Sequence, residues 1–299
     1  MEQTLDAMAL AARKARKRAR RMAVGGKILA YFFLILLCLF FLFPFIVMIC
    51  VSLLPDSEVY QPVLISPSGT IYIGSYLGLF REGSNYLLYL WNSVKVSLIT
   101  AIGIPLVSSL CAYGFAKLDF KGREVMFAIV LSTMMIPAVV TLIPLQTIFS
   151  ALNWLDTLYP MWVPSLFGGG ATNIFLMRQF MRGIPNDMLN SAKLDGANSF
   201  VIYLRMMLPL CIPILLYVGV TSFMGSWNDF ITPMTYLGNG SSPSATLALG
   251  IYFDYGPGSR ALPNAAMAAG VVMTLPCAVL FFIFQRYLIE GVAITGMKG

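Results

Sequence analysis

Two short stretches carry the residue types from which this chain can build recognition. WND at residues 227–229 sets an amide and a carboxylate beside an indole. Such a set suits hydrogen bonding to a hydroxyl-rich solute, and equally suits an interfacial tryptophan followed by a helix-end aspartate. NSAKLDGANSF at residues 190–200 is small, hydrophilic and bent around a glycine. Covalent chemistry is poorly served. The chain has no histidine, which removes a histidine base, a Ser-His-Asp triad and the usual zinc ligand sets. No metal site and no catalytic residue are expected. The glycine cluster FGGGATN at residues 167–173 lacks the lysine of a phosphate-cradling loop and falls inside an apolar run, so ATP is not expected to bind this chain.

The elements that must position these stretches are set by composition. Of 299 residues, 58% are hydrophobic and 11% charged, too few polar side chains to cover a soluble surface. Residues 28–55, 96–116, 125–155, 157–177, 206–228 and 261–285 are free of charge, and about 20 such residues cross a bilayer as a helix. The pattern predicts an all-α integral membrane protein with six transmembrane helices. The third is expected to kink at Pro137 and Pro144, and Gly168, Gly169 and Gly170 interrupt the fourth. The first run is longer than a signal-peptide core and is expected to remain as an anchor. Cys38, Cys50, Cys111, Cys211 and Cys277 all fall in these runs and act as small apolar residues. The chain thus divides into a basic tail (1–27), a transmembrane domain (28–290) and a C-terminal tail (291–299).

Charge gives the orientation. Of the 20 lysines and arginines, 17 lie in the tails and even-numbered connections, leaving Arg81, Lys95 and Arg260 on the other side. An excess of cations marks the cytoplasmic side, which places both termini there, and the net charge of +7 is a topology signal. The run ARKARKRARR at residues 12–21 ends just before the first apolar segment, where attraction to anionic lipid explains it without nucleic acid. The spans contain no paired ionisable residues of the kind that couple a carrier to protons or sodium. Energy for uphill transport must then come from a partner.

On this topology residues 183–208 form a long cytoplasmic connection. Its signals read as two short helices. Pro185 suits a first helical turn, and Asp187 places negative charge near the positive end of the helix dipole. Gly196 fits the left-handed residue that ends the first helix, Asp195 suits an Asx-type turn, and Ser199 suits a cap for the second. Ser191, Ala192 and Ala197 are small enough for another protein's backbone to approach. An amphipathic hairpin lying on the membrane face fits the same periodicity.

Residues 190–213, NSAKLDGANSFVIYLRMMLPLCIP, resemble the EAA signature of permease subunits of ABC importers, through Asp195, Gly196, Ala197, Leu208, Pro209 and Pro213. The resemblance is strongest to the carbohydrate (maltose-type) branch. NSVKVS at 92, CAYGFAKLDFKGRE at 111, MMIPAVVTLIPL at 134, FLMRQFMRGIP at 175, WNDFITP at 227 and GMKG at 296 occur in the order of that branch. It implies a type I ABC-importer permease fold in which the bend is a coupling helix seated on a cytosolic ATPase, through Asn190, Ser191, Ala192, Asp195, Gly196 and Ala197. The family's usual glutamate is Asn190 here, which offers only neutral hydrogen bonds. The resemblance further implies a second homologous permease chain, two ATPase subunits that bind ATP and Mg, an extracytoplasmic solute-binding protein, a sugar or oligosaccharide as cargo, and a bacterial inner-membrane location. No cofactor belongs to this chain. It implies that Gly296, Lys298 and Gly299 lie along the ATPase interface, and that Trp227, Asn228 and Asp229 lie near the path.

Residues 237–262, rich in glycine, serine and proline, are expected to form an irregular outer loop. By the resemblance Tyr252, Asp254 and Tyr255 would contact the binding protein. Residues 56–89 are expected to add a short strand and a helix on the same side. Ser108, Ser109 and Tyr113 suit either a polar seam or helix packing. Two other classes of protein compete. A stand-alone secondary transporter of a small polar solute would need an inverted repeat and mid-span ionisable pairs. An intramembrane enzyme would need a buried nucleophile and base.

Overall fold

In hydrocarbon each backbone N–H and C=O must be paired within its own segment, so charge-free runs fold as helices. The computed structural model describes residues 2–238 and 242–296, with side chains from 24 to 238 and from 242 to 288. Among the described residues there is no strand. Helices α1 (Glu2–Ser52), α2 (Gly74–Leu79) and α3 (Tyr86–Lys117) come first. They are followed by α4 (Arg123–Ser132), α5 (Ala138–Ala151), α6 (Tyr159–Trp162) and α7 (Ala171–Arg182). The short helices α8 (Asn186–Leu194), α9 (Ser199–Ile202) and α10 (Leu208–Leu210) lead into α11 (Ile212–Trp227). The fold ends with α12 (Ile231–Tyr236), α13 (Leu247–Tyr255) and α14 (Pro263–Gly296).

Three helices are long and apolar enough to cross a membrane, at residues 24–52, 86–117 and 263–288, and two bent pairs bring the number to as many as five. The first bent pair is α4 with α5, at 98°. Ile136 stands before Pro137 in an extended conformation (ψ 117°), as the proline ring demands, while Pro144 lies within α5 without ending it. The second pair runs from α9 through a π turn and α10 into α11, bent by 76° at Cys211 between Pro209 and Pro213. The fourth apolar run does not form one helix. It is divided into α6, a 3-10 turn (Pro164–Leu166), the glycine loop and α7.

The glycines of that loop have a steric reason. Gly168, Gly169 and Gly170 all have positive φ, and a Cβ on Gly169 would lie 2.8 Å from both Ile104 O and Ser108 Cβ of α3. The loop therefore lies directly on α3, and Asn173 donates from Nδ2 to Gly169 O (2.7 Å) to close it. Helix α3 packs against both α7 and α11. At Gly219 the α11 backbone approaches Ala101 O so closely that a Cβ would stand 2.9 Å from it. Ser108, Ser109 and Tyr113 are buried in this packing: Ser109 Oγ meets Tyr203 Oη at 2.7 Å and the Tyr113 and Tyr203 rings lie 5.4 Å apart.

The segment before α3 differs from expectation. Residues 56–73 form turns and bends rather than a strand, because the described residues offer no strand to pair with and Pro62, Pro67 and Gly69 favour turns. Residues 237–262 are also more ordered than a loop, since α13 buries Leu247 and Leu249 against α3 and α14. Asn92 explains how: its Nδ2 donates to Pro243 O (2.9 Å) and Ala245 O (3.0 Å), while Ser93 Oγ accepts from Leu247 N (2.7 Å). These bonds staple the start of α13 to α3.

At the other end of α3 a cluster of charges ties three elements together. Arg178 of α7 is 4% exposed and lies over the Phe127 ring at 3.9 Å. Its Nη2 donates to both Glu124 carboxylate oxygens (2.8 and 2.9 Å) and its Nε to Phe115 O (3.1 Å). Lys117, the last residue of α3, donates to Ile184 O (2.6 Å) and Asn186 Oδ1 (2.7 Å) at the start of α8. Glu124 belongs to α4, so α3, α4 and the α7–α8 corner are fastened as one unit.

Gly169→Ala is expected to destabilise the protein by about 2–3 kcal/mol, through left-handed strain and the clash with α3. Gly114→Ala, where a Cβ meets nothing within 4 Å, is the control. Thermal unfolding in detergent reads both; an unchanged midpoint for Gly169→Ala would contradict the packing. Glu124→Gln removes the charge that balances a buried guanidinium, and the link from α4 to α7 is expected to loosen locally. Amide exchange over residues 180–195 should quicken measurably. Unaltered exchange there would show that the pair holds nothing.

Candidate functional site

The α8–α9 hairpin begins at Pro185, which stands just outside α8 as its N-cap (φ −60°, ψ 138°) instead of within the first turn. Its turn is a Schellman motif. Gly196 has φ +85°, its N–H donates to Lys193 O (3.0 Å), and the Ala197 N–H reaches back to Ala192 O (3.0 Å). The α9 cap is Asn198 and not Ser199: Asn198 Oδ1 accepts from Val201 N at 2.9 Å, because the helix starts one residue earlier than the serine would allow. Asp195 forms no capping bond and projects into solvent, since the Schellman bonds already occupy the amides after it.

One side of the hairpin is anchored and the other is bare. Leu189 is buried with Met181, Ile202 and Tyr203 in the core cluster, and Ala192 and Ala197 pack against its edge. Leu194 is 89% exposed and Phe200 60%, with Met188 also outside. Asn190, Ser191, Asp195 and Gly196 are exposed along the same bend. The hairpin therefore presents small and apolar groups around a rigid turn, fixed at its base by Lys117. Asn190 also borders a polar cleft of about 400 Å³. There Lys117, Arg123, Arg178, Arg182 and Lys193 outnumber Asp119 and Glu124, so an amide in place of a glutamate leaves the cleft more positive.

The other sequence candidates separate. Trp227 is 1% exposed, donates Nε1 to Met273 O (2.9 Å) and stacks on Phe223 at 5.5 Å, so it joins α11 to α14. Asp229 Oδ1 accepts from Thr232 N (3.1 Å) at the start of α12, the helix-end role that its position also suggested. Asn228 remains exposed, with Nδ2 on Met224 O (2.8 Å). On α13, Tyr252 and Asp254 are exposed, whereas Tyr255 is half-buried with its ring 6.2 Å from that of Tyr86. Burial raises the Tyr255 phenol above its usual range, and the neighbouring Asp254 adds to the rise. Helix α14 continues to Gly296; Lys298 and Gly299 lie outside the described residues.

The sequence reading missed the fastening residues Lys117, Glu124 and Arg178, although all three lie in the blocks CAYGFAKLDFKGRE and FLMRQFMRGIP. A lone arginine inside a weakly polar helix, 54 positions from a carboxylate at the end of a span, was the available signal.

Comparison with known proteins fits this architecture. Residues 103–294 match the family described as binding-protein-dependent transport system inner membrane component. The arabinooligosaccharides transport system permease protein AraQ of Bacillus subtilis is 33% identical over 270 residues, covering 89% of this chain and 94% of that protein. The maltose/maltodextrin transport system permease protein MalG of Escherichia coli is 33% identical over 219 residues, covering 71% and 73%. A chain in the crystal structure of a bacterial ABC transporter involved in import of the acidic polysaccharide alginate superposes with a TM-score of 0.76 at 22% identity, over 87% of this chain and 95% of that one. That likeness shows a shared fold. A stand-alone carrier and an intramembrane enzyme are both set aside, because the relatives are non-catalytic permease subunits. This chain is a membrane-embedded permease subunit and belongs to the binding-protein-dependent transport system inner membrane component family.

Proposed function

We propose that the chain forms half of the path of an ATP-driven importer for a sugar or oligosaccharide. A second homologous permease chain supplies the other half, and two cytosolic ATPase subunits bind ATP and Mg. An extracytoplasmic solute-binding protein delivers the cargo; one solved relative in fold is described as an alginate transporter in complex with a pentasaccharide-bound periplasmic protein. The membrane is the bacterial inner membrane, with both termini in the cytoplasm, as the 17 cations against three favour.

The observation that carries this reading is the α8–α9 hairpin, anchored on one side and bare on the other. Asn190, Ser191, Ala192, Asp195, Gly196 and Ala197 would seat on the ATPase, with Leu194 and Phe200 as the apolar contacts. Closure of the ATPases would push the hairpin, and Lys117 and Arg178 would carry the push to α3, α4 and α7 as a rigid body. Gly296, Lys298 and Gly299 would lie along the same interface. At the opposite end, Tyr252 and Asp254, with Tyr255 behind them, would meet the binding protein, and Asn228 would stand near the mouth of the path.

Gly196→Pro tests the coupling directly. Proline fixes φ near −65° and cannot take the left-handed conformation, so the Schellman turn is lost while the spans insert as before. In reconstituted vesicles the ratio of sugar imported to ATP hydrolysed is expected to fall at least about tenfold, as a loss of one or two docking contacts would produce. An unchanged ratio would contradict the lever.

A further inference from the structure

Helix α11 has two unlike faces. Leu215, Leu216, Val220 and Phe223 border an apolar groove shared with α3 and α14. Tyr217, Thr221, Ser222 and Ser226 instead border a groove of about 450 Å³, whose other wall is Thr172 and Asn173 of α7. That volume lies within the roughly 300–1,000 Å³ of ordinary small-molecule sites. Tyr217, Thr221 and Gly225 recur at i, i+4 and i+8 along it, and the exposed Asn228 follows one turn later.

The groove's hydrogen-bonding capacity is only partly used. Thr221 Oγ1 donates to Tyr217 O (2.9 Å), Ser226 Oγ pairs with Thr100 Oγ1 (2.8 Å), and Asn173 Nδ2 is taken by Gly169 O, which leaves its Oδ1 open. The hydroxyls of Thr172, Ser222 and Tyr217 have no partner among the described residues. Three free hydroxyls and an amide oxygen facing hydrocarbon would stay unsatisfied at a cost of several kcal/mol, so this face requires water or a polar solute. None of the residues lining it is charged. A carboxylate or ammonium entering here would lose its hydration without gaining a counter-ion. A sugar ring needs neither: its hydroxyls match the free groups, and the Tyr217 ring offers a flat face to its C–H surface.

We propose that this groove between α7 and α11 is the subunit's contact with the translocated solute, and that the solute is a neutral saccharide, not a uronic-acid or sulfonated one. The proposal rests on the permease reading above and adds the residues and the charge class. It separates relatives of differing cargo, since those similar to this chain include permeases named for arabinooligosaccharides and for sulfoquinovosyl glycerol.

Ser222→Cys in the assembled importer, reconstituted without the binding protein, is treated with a water-soluble maleimide, with and without ATP and Mg. Modification is read by mass on the peptide carrying residue 222, which separates it from the five native cysteines. Maltotriose or arabinotriose at saturation is expected to slow labelling at least about fivefold, and trigalacturonate less than about twofold, by mass action at the shared site. No labelling in either state, protection by none of the sugars, or equal protection by trigalacturonate would overturn the proposal. Thr221→Cys gives the same readout should Ser222→Cys fail to assemble. ATP-driven uptake by the wild-type importer is measured in separate vesicles supplied with the solute-binding protein; if it moves no saccharide, the permease reading fails regardless of the labelling.

Discussion

Among the described residues Arg178 is the one charged side chain that is buried, and the inner half of the molecule is organised around it. A guanidinium out of water is costly unless its donors find partners, and here a carboxylate from α4 accepts from Nη2 and a carbonyl near the end of α3 accepts from Nε. The Phe127 ring covers its face. The arrangement links the ends of two apolar helices to the helix that leads into the hairpin. Lys117 repeats the link one turn further on, through Ile184 O and Asn186. A hairpin held at its base by charge-assisted bonds cannot swing independently of the helices beneath it. That rigidity lets a contact at its tip act on the spans.

The broken helices follow from the same requirement for paired backbone. Pro137, Pro209 and Pro213 each remove a donor, and local turns close beside the breaks, Ile136 N donating to Thr133 O and Cys211 N to Met207 O and Leu208 O. The glycine loop before α7 lets that helix approach α3 so closely that the two walls of a polar groove form beside it. Helix α11 then separates apolar from polar surroundings by its two faces.

Much of this was legible in the sequence because it depended on local chemistry. Gly196 announced a left-handed helix end, Pro137 a break, and the three glycines an interruption, and each is found at its residue. What required tertiary contact was less visible. Ser199 and Asn198 are both good caps, and only the start of α9 decides between them. Trp227 looked suited to the path, yet α14 lies against it and Met273 O takes its N–H. The order in residues 242–255 comes from Asn92 and Ser93, some 150 positions earlier. Likewise Tyr217, Thr221 and Ser222 are unremarkable within an apolar run until Thr172 and Asn173 stand opposite.

In the proposed importer the hairpin tip, rather than any other surface, would meet the ATPase. A photocrosslinking amino acid at position 194, the most exposed apolar site of the bend, tests it in the membrane-bound complex. The expected result is a crosslink to the ATPase subunit whose yield changes between nucleotide-free and ATP-bound states. A crosslink to lipid or to the binding protein, with none to the ATPase in either state, would contradict it.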